Sequence, residues 1–396
     1  MRWSLCVVVV CVLAAASCSS GTAPTSTSGA DPESTAATGE PVFRATLDQA
    51  IAVNVASNGG SAVVAWITHE DVMTGTVDLV AGEVTDRAEV NGGVAPVGHP
   101  IERPALRVGA DETVDVAFTS FSGDGASVFL ARDGGDPVQV SGPPRPETNL
   151  VHMTTSPEEA PLLAWLEDAT LSIGRDVGDE FVEEEAVDDT TCDCCNPVPV
   201  FVDQSLVVAY RDFDLIDEEI VRNVVAVRSE DGGREFEAPV IVADEDWFIS
   251  GCPFTGPDVA VVDGTVIVAW MDARQSVHPD QADSSIWVDR STDGGATFGV
   301  DLAVTSGDLH KWPALAVDGS GLIHLVWETL GAEGGLSYAW SDDQGVSFSD
   351  PVLLVDREAT HGAAPASPSA VFHDGLLIVT WADGRDGQVA AWELGG

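Results

Sequence analysis

The sequence repeats one short phrase three times, at Ser229-Glu-Asp-Gly-Gly-Arg-Glu-Phe236, Ser291-Thr-Asp-Gly-Gly-Ala-Thr-Phe298 and Ser341-Asp-Asp-Gln-Gly-Val-Ser-Phe348. Ala131-Arg-Asp-Gly-Gly135 is a partial fourth copy. In such a phrase the Asp side chain hydrogen-bonds to the backbone that follows it, the Gly accepts a positive φ, and the Phe holds the turn against a sheet. The phrase therefore predicts a β-hairpin turn that recurs in register along the chain.

A second repeat lies between these phrases, and it is an apolar strand that ends in an aromatic residue. It occurs seven times at intervals of 45 to 60 residues, and the aromatic residues are Trp66, Phe118, Trp165, Tyr210, Trp270, Trp327 and Trp381. Several strands per repeat, at a period of about 40–50 residues, are typical of propeller blades. No segment from residue 42 onward has a helical hydrophobic period. The sequence therefore predicts an all-β propeller over residues 42–396, with seven blades of four-stranded antiparallel sheets.

The last of these blades lacks one strand. After Trp381 a single further strand fits, at residues 388–394, so the seventh unit has three strands of its own. The spare strand at residues 42–47 is predicted to pair with it, which would close the ring and remove two open sheet edges. Six blades preceded by an irregular N-terminal unit are the alternative.

The three phrases resemble the Asp box, or BNR repeat, of sialidase-like β-propellers. The cysteine-containing loops described below also look like those of an uncharacterised bacterial branch of that superfamily, which includes lipoproteins. The Asp box is a structural turn, so the resemblance implies a fold and not a catalytic activity. Sialidases proper have six blades, and the seven units counted here depart from that pattern.

The N-terminus predicts export and lipid attachment. Arg2 precedes an apolar run that is too short to span a bilayer comfortably, so residues 1–17 are interpreted as a signal peptide. Ala15-Ala-Ser-Cys18 resembles a bacterial lipobox, in which Cys18 is lipidated. Residues 18–41 are rich in Ser, Thr, Gly, Ala and Pro and are predicted to be a flexible tether. The expected location is the outer face of the cell membrane, and the alternative is ordinary cleavage near Ala16 followed by secretion.

The charge of the chain excludes several partners. Sixty-five acidic residues stand against 17 basic ones, for a net charge of −48, and Lys311 is the single lysine. Such a surface repels nucleic acid and anionic lipid headgroups, so contact with the membrane is expected through the N-terminal lipid alone. An extracellular glycan or a surface protein is the expected partner, and no cofactor is predicted.

Unusual residues collect in the connections from the outermost strand of one blade to the innermost strand of the next. In a propeller these connections lie on one face, around the central channel. The predicted ligand-binding funnel on that face consists of His99, Arg103, Trp247, His310, Lys311, Trp312 and His361. Because aromatic rings suit stacking on a ligand, the first functional hypothesis is a glycan- or partner-binding protein of the cell surface.

Four cysteines lie in the same connections, Cys192, Cys194 and Cys195 in one and Cys252 in the next. An even number in an exported protein favours two disulfides, and a bridge from the first cluster to Cys252 would join neighbouring blades. Such a bridge needs Cα atoms within about 7 Å of each other. A vicinal Cys194–Cys195 disulfide is another arrangement. A soft-metal or redox site on the same four residues is the weaker alternative, because Cys-x-Cys-Cys lacks the paired spacing of zinc sites.

The second functional hypothesis is an exo-sialidase or related glycoside hydrolase. The resemblance implies three arginines that hold a substrate carboxylate, a Tyr–Glu nucleophile pair and an Asp acid/base. The early Arg-Ile-Pro motif of that family is not present. The weak candidates for such roles are Arg103, Arg211, Asp212, Asp272, Arg274, Arg385 and Tyr210. Core packing of Tyr210 and Arg–Asp pairing are the simpler interpretation, and the hydrolase hypothesis requires three arginines to converge in the central funnel.

Overall fold

The computed structural model describes residues 39–146, 148–177, 180–243, 246–275, 283–330, 334–356 and 366–393. Within these ranges the chain is all-β and forms seven four-stranded antiparallel sheets. No helix long and apolar enough to cross a membrane is present in this described part of the chain. The first strands of successive sheets contact one another around a ring, so the architecture is a seven-bladed β-propeller, as the sequence predicted.

The first strand of the described chain is β1 (Phe43–Leu47), and the strands after it follow the chain blade by blade. Blade 1 consists of β2 (Ala52–Ser57), β3 (Ala62–Ile67), β4 (Val72–Asp78) and β5 (Glu83–Glu89). Blade 2 consists of β6 (Ala105–Val108), β7 (Val114–Ser122), β8 (Gly125–Arg132) and β9 (Val138–Gln139). Blade 3 consists of β10 (Thr148–Thr155), β11 (Pro161–Glu167), β12 (Thr170–Val177) and β13 (Glu180–Asp188). Blade 4 consists of β14 (Val198–Val202), β15 (Ser205–Arg211), β18 (Val224–Ser229) and β19 (Val240–Ile241), with a separate hairpin of β16 (Asp214–Ile216) and β17 (Glu219–Val221) inserted before β18. Blade 5 consists of β20 (Asp258–Val262), β21 (Thr265–Asp272), β22 (Ser285–Ser291) and β23 (Leu302–Ala303). Blade 6 consists of β24 (Leu309–Val317), β25 (Ile323–Leu330), β26 (Gly335–Ser341) and β27 (Val352–Asp356).

Blade 7 closes the ring with strands from both ends of the described chain. It contains β28 (Ala366–His373), β29 (Leu376–Ala382) and β30 (Gly387–Glu393), and β1 pairs with β30 from Phe43↔Ala391 to Leu47↔Gly387. The predicted closure is therefore confirmed, and the alternative of six blades is wrong. Pairing satisfies the backbone groups of two edges that would otherwise be open.

The hydrophobic core is a ring of seven clusters, one at each interface between neighbouring blades. In the cluster between blades 7 and 1, for example, Ile378 packs with Val53 and Val64. The seven aromatic residues that end the apolar repeats are all buried, at no more than 4% exposure. Because they sit on the second strand of each blade, between the channel and the rim, the repeat in the sequence corresponds to a repeat in the packing.

The three repeated phrases form turns between the third and fourth strands of blades 4, 5 and 6. In the blade 5 turn, Asp293 Oδ1 accepts two hydrogen bonds, one from Ser291 Oγ at 2.7 Å and one from the backbone N–H of Thr297 at 2.9 Å. Gly295 has a φ of 88°, and a Cβ atom there would lie 2.7 Å from Val207 of the neighbouring blade. The turn therefore locks one blade onto the next, which is a structural role.

The two faces of the ring differ. Because the strands of each blade alternate in direction, the three repeated turns lie on one face, called here the turn face. The connections that lead from one blade to the next lie on the other, called here the connection face. Each innermost strand begins on the connection face, so the predicted funnel residues and cysteines of the described chain lie on that side.

Candidate functional site at the mouth of the channel

The connection-face end of the central channel encloses a cavity of about 210 Å³. All seven innermost strands or the residues next to them contribute to its wall. Its polar lining residues are Asn54, Arg103, His152, Thr154, Asp258 and Ser369. Three of them are tied to the wall: Asn54 Oδ1 accepts the Ser369 hydroxyl at 2.6 Å, and Arg103 Nη1 donates to Pro368 O at 2.7 Å.

The polar lining residues named above form what we call the floor of the cavity. One positive side chain, Arg103, and one negative side chain, Asp258, dominate its electrostatics. Asp258 accepts the backbone N–H groups of Leu315 at 2.7 Å and Val259 at 3.0 Å. Burial raises the pKa of Asp258 to about 6, against the opposing effects of those N–H groups and of the Arg103 charge. Burial, and then Arg103, lower the pKa of His152 to about 4. At neutral pH the floor therefore holds a guanidinium, a carboxylate and a neutral imidazole.

An aromatic rim lies above this floor. Trp312 Nε1 donates to Phe254 O at 2.8 Å, and the Trp312 backbone N–H donates to Thr255 Oγ1 at 3.3 Å. The Lys311 ammonium lies 5.7 Å from the centre of the Trp312 ring. Trp312 lies on β24, in the irregular segment between Lys311 and Ala314 where the strand register shifts, three residues before Leu315, whose N–H contacts Asp258.

The rim residues have an unusual backbone conformation. Phe254 and Trp312 have φ values of 56° and 47°, the left-handed region that bulky side chains rarely adopt. Phe254 is 49% exposed, and Trp312 is half-buried. Strained bulky residues persist where the surrounding structure over-determines them, and they cluster at binding sites. The hydrogen bond from Trp312 Nε1 to Phe254 O holds these two partly exposed aromatic residues together on the connection face.

A second cluster on the connection face contains the cysteines. Cys194 and Cys252 form a disulfide with Cα atoms 6.5 Å apart, across 58 residues of sequence, so it joins the connections before blades 4 and 5. Cys192 and Cys195 are free and buried. Arg222 Nη1 donates to Cys192 Sγ at 2.8 Å. The hydrogen bond with Cys195, and then the charge of Arg222, lower the pKa of the Cys192 thiol, while burial raises that of Cys195.

The prediction of two disulfides is thus corrected to one. The second pair, Cys192 and Cys195, has sulfur atoms 3.4 Å apart without a bond. Cys192 Sγ instead accepts a hydrogen bond from Arg222 Nη1 and donates one to Cys195 Sγ. A vicinal Cys194–Cys195 bridge is also wrong, because Cys194 is bonded to Cys252.

Two of the predicted funnel residues are core residues instead. Trp247 is 2% exposed and stacks on Arg211, whose guanidinium carbon lies 5.1 Å from the ring centre. His310 is 7% exposed and accepts a hydrogen bond from Trp327 Nε1 at 3.1 Å. Both residues were assigned to connections from the sequence, but Trp247 is buried where its connection packs on the blades, and His310 belongs to the strand β24.

The remaining funnel residues have different positions. Arg103 lines the channel floor. Lys311 and Trp312 belong to the rim. His99 is exposed in the connection between blades 1 and 2, and His361 lies outside the described residues.

The arginines proposed for a sialidase do not converge. Arg211 is 1% exposed and donates to Arg222 O at 2.7 Å and to Met271 O at 2.8 Å, so it ties the second strands of blades 4 and 5 together. Arg274 pairs with Asp272 and Asp301. Arg385 is exposed in the turn before β30. Among the described residues, Arg103 is the one arginine in the cavity wall.

The proposed nucleophile and acid also have structural partners. The Tyr210 hydroxyl donates to Asp188 Oδ2 at 2.5 Å, and burial followed by that bond raises the pKa of Tyr210 far above its ordinary value. Asp212 Oδ1 accepts the backbone N–H of Phe213 at 2.7 Å. A neutral, buried phenol that donates to a carboxylate is held as a packing residue. The packing of Tyr210 and the Arg274–Asp272 pair agree with the simpler interpretation given above, whereas Arg211 donates to the carbonyl oxygens of Arg222 and Met271.

Sequence reasoning missed several residues of the site: Asn54, His152, Asp258, Ser369, Phe254 and Arg222. The signal for Asn54, Asp258 and Ser369 was a polar residue at or near the start of an otherwise apolar innermost strand. Nothing in the sequence marks Phe254 or Arg222, because their positions depend on a left-handed backbone and on an inserted hairpin.

Comparison with known proteins supports the fold. No protein-family model and no curated protein matches this chain. Among solved structures, an ulvan lyase of polysaccharide lyase family PL25, bound to -[GlcA(1-4)Rha3S]-, is 12% identical with a TM-score of 0.56, over 90% of this chain and 95% of that chain. A protein of unknown function from Dyadobacter fermentans DSM 18053 is 13% identical with a TM-score of 0.53, over 90% and 99%. A Hadza microbial sialidase, Hz136, is 13% identical with a TM-score of 0.47, over 86% and 74%. The first two similarities support the fold alone, and the chain is a β-propeller.

Proposed function

We propose that this protein is an exported propeller, tethered to the cell surface through Cys18, that binds a saccharide at the connection-face mouth of its channel. The observation that carries the proposal is the combination of a polar, charged floor with an aromatic rim. A sugar has hydroxyl groups that hydrogen-bond and an apolar face of C–H groups that packs on an aromatic ring. Few other extracellular ligands need both surfaces so close together.

The floor supplies both hydrogen-bond donors and acceptors. Arg103 donates, the ionised Asp258 accepts, and the amide and hydroxyl of Asn54 and Ser369 do either. Because the charges of Arg103 and Asp258 balance and the whole protein is strongly negative, the site favours a neutral saccharide over a polyanionic one. The rim ring of Trp312 provides the stacking surface.

Binding is favoured over sialoside hydrolysis by the positions of the arginines. A carboxylate-holding triad needs three guanidinium groups at one point, and Arg211 and Arg274 are buried in contacts within the protein. The similarity to the ulvan lyase supports the fold alone and names no reaction for this chain.

The test is a binding measurement on the full chain purified from cells that export it. Immobilised neutral and uronate-containing oligosaccharides are screened first, and the affinity for a neutral hit is then measured by titration calorimetry. Trp312→Ala removes the stacking ring and Arg103→Gln removes the cation, so each is expected to weaken binding by about tenfold or more, or about 1.4 kcal/mol. Trp340→Ala is the matched control, because Trp340 is another half-buried Trp directly before a turn on the opposite face.

Two results would count against the proposal. One is the lack of any saccharide hit. The other is an affinity that both Trp312→Ala and Arg103→Gln leave at the level of Trp340→Ala. The same preparation is assayed on a fluorogenic sialoside, where no release of fluorophore is expected. Turnover that Arg103→Gln abolishes would support the hydrolase hypothesis instead.

A further inference from the structure

The four cysteines bring four sulfur atoms to one point on the connection face. Their Sγ atoms all lie within 4.8 Å of one another. Cys192 Sγ is 3.4 Å from the sulfurs of both Cys194 and Cys195, and the latter two are 3.9 Å apart. A single structural disulfide needs two of these sulfurs, and it gives no reason for two more to be gathered around it.

The three separations among Cys192, Cys194 and Cys195 are close to those around one tetrahedral metal ion, and reduction of the Cys194–Cys252 bridge frees the fourth sulfur. With metal–sulfur distances of about 2.3 Å, the edges of a tetrahedron of thiolates are about 3.8 Å long. Four thiolates around one ion select soft metals of the Zn²⁺ or Cu⁺ class. The sequence spacing Cys-x-Cys-Cys argued against a zinc site because the usual sites take two pairs of ligands. Here the fourth ligand comes from the next blade.

We propose that Cys192, Cys194, Cys195 and Cys252 form a binding site for one soft d¹⁰ metal ion, Zn²⁺ or Cu⁺. Four thiolates leave the site negatively charged, and two buried cations lie on its border. Arg222 donates to Cys192 Sγ. Arg211 donates in turn to Arg222 O at 2.7 Å. Such outer partners orient the ligands and offset their charge.

The ion and the Cys194–Cys252 disulfide are alternative states of the same site. A dithiol reductant delivers two electrons and two protons to the bridge, gives two thiols, and is itself converted to a disulfide. Together with Cys192 and Cys195 this makes four thiols, which lose their protons as the ion binds. The disulfide is then the oxidised, metal-free state, and either state links the connections before blades 4 and 5.

The experiment uses the full chain purified without oxygen in the presence of a dithiol. After the dithiol is removed, Zn²⁺ and Cu⁺ are added in separate titrations, and the ions per chain are counted by native mass spectrometry. One ion per chain is expected for at least one of the two metals, with all four thiols protected from alkylation. Co²⁺ in place of Zn²⁺ is expected to give the intense sulfur-to-cobalt charge-transfer absorption of a tetrathiolate site.

A double variant keeps the proposal falsifiable even if the bridge is needed for folding. Cys192→Ser with Cys195→Ser retains the Cys194–Cys252 pair, and it is expected to bind the ion at least a hundredfold more weakly. His99→Ala, which removes an exposed histidine on the same face, is expected to bind like the wild type. Four reactive thiols with no bound ion would overturn the proposal, as would an ion retained at full affinity by the double variant.

Discussion

Asp293 shows how one side chain of the repeated phrase holds a turn. Its Oδ1 accepts from Ser291 Oγ and from the Thr297 N–H, and its Oδ2 accepts from Thr297 Oγ1 at 2.6 Å. These bonds to the charged form lower the pKa of Asp293 to about 2, with the Thr297 hydroxyl as the largest cause. A depressed pKa means that the folded state prefers the ionised carboxylate, so the turn depends on its charge.

We expect Asp293→Asn to reduce the free energy of unfolding by about 1 kcal/mol at neutral pH, because the amide nitrogen cannot accept the Thr297 hydroxyl. The contribution of a carboxylate with a lowered pKa is complete above its unfolded pKa of about 4 and is lost as the pH falls toward 2. The difference between variant and wild type should therefore shrink over that window, measured by urea denaturation. The control is Asp133→Asn in the partial fourth copy of the phrase. Asp133 is exposed and has a φ of 47°, and Asn tolerates this conformation. Equal losses in both variants would show that the phrase has no special role.

Glu102 is a buried carboxyl beside the channel arginine in the sequence. One of its oxygens accepts the Leu150 N–H at 3.1 Å. Burial, opposed by that bond, raises the pKa of Glu102 to about 7. The folded state therefore keeps a proton between about pH 4.5 and 7 that the unfolded chain has lost, and stability falls as the pH rises through this window.

Replacement of Glu102 by Gln removes this titration and leaves an acceptor for Leu150. Relative to wild type, Glu102→Gln should gain stability on the order of 3 kcal/mol as the pH is raised from 4.5 to 8, since one pKa unit corresponds to about 1.4 kcal/mol. Urea midpoints of both proteins at the two pH values measure the gain. Glu83→Gln, at an exposed carboxyl on β5, should leave the pH dependence of the wild type unchanged. Parallel pH profiles for Glu102→Gln and wild type would refute the assignment.

The strand β1 has a role that no other single strand has, because it joins the start of the propeller to its last blade. Its two end residues are buried, Phe43 at 4% and Leu47 at 0% exposure, and they pack with residues of blades 7 and 1. The neighbouring Val42 is 59% exposed and lies outside the strand.

We expect Leu47→Ala to cost about 2–5 kcal/mol, because it leaves a cavity at the interface that closes the ring. Val42→Ala is the control and should change stability by less than about 0.5 kcal/mol. Denaturant unfolding measures both values, and size-exclusion chromatography shows whether an opened edge of β30 leads to association. If Leu47→Ala costs no more than Val42→Ala, the closure contributes nothing to stability.

The location of the protein depends on a residue outside the described ranges. Cys18 remains the predicted lipidation site, and its neighbours resemble a lipobox. A lipid chain with a short tether would hold the propeller close to a membrane that its charge of −48 otherwise repels.

Cys18→Ala should release the protein from the membrane fraction into the medium, where immunoblotting detects it. The same cells expressing Cys11→Ala are the control, because Cys11 lies within the apolar run of the predicted signal peptide and before the predicted lipidation site. Membrane association that survives Cys18→Ala would exclude lipid attachment at this residue.

Local sequence was sufficient for the fold because a propeller is built from repeated local units. Each turn phrase and each apolar strand folds against its nearest neighbours in the chain, so the repeated turns and the seven strands that carry an aromatic residue appear where the sequence predicted them. The outermost strands vary in length, from the two residues Leu302–Ala303 to the nine residues Glu180–Asp188. They pair on one side only, so little fixes their length.

The positions of the site residues relative to one another depend on closure of the ring. Ser369 and Asn54 share a hydrogen bond across 315 residues of sequence, and Asp258 reaches the same cavity from a third blade. Trp247 and His310 look like exposed loop residues in the sequence, but Trp247 is buried in a connection that packs on the blades and His310 is buried on the strand β24. Turns and strand periods depend on neighbouring residues and are therefore readable in the sequence. The channel mouth and the gathering of four cysteine sulfurs depend on where distant strands meet, and the tertiary structure alone determines that.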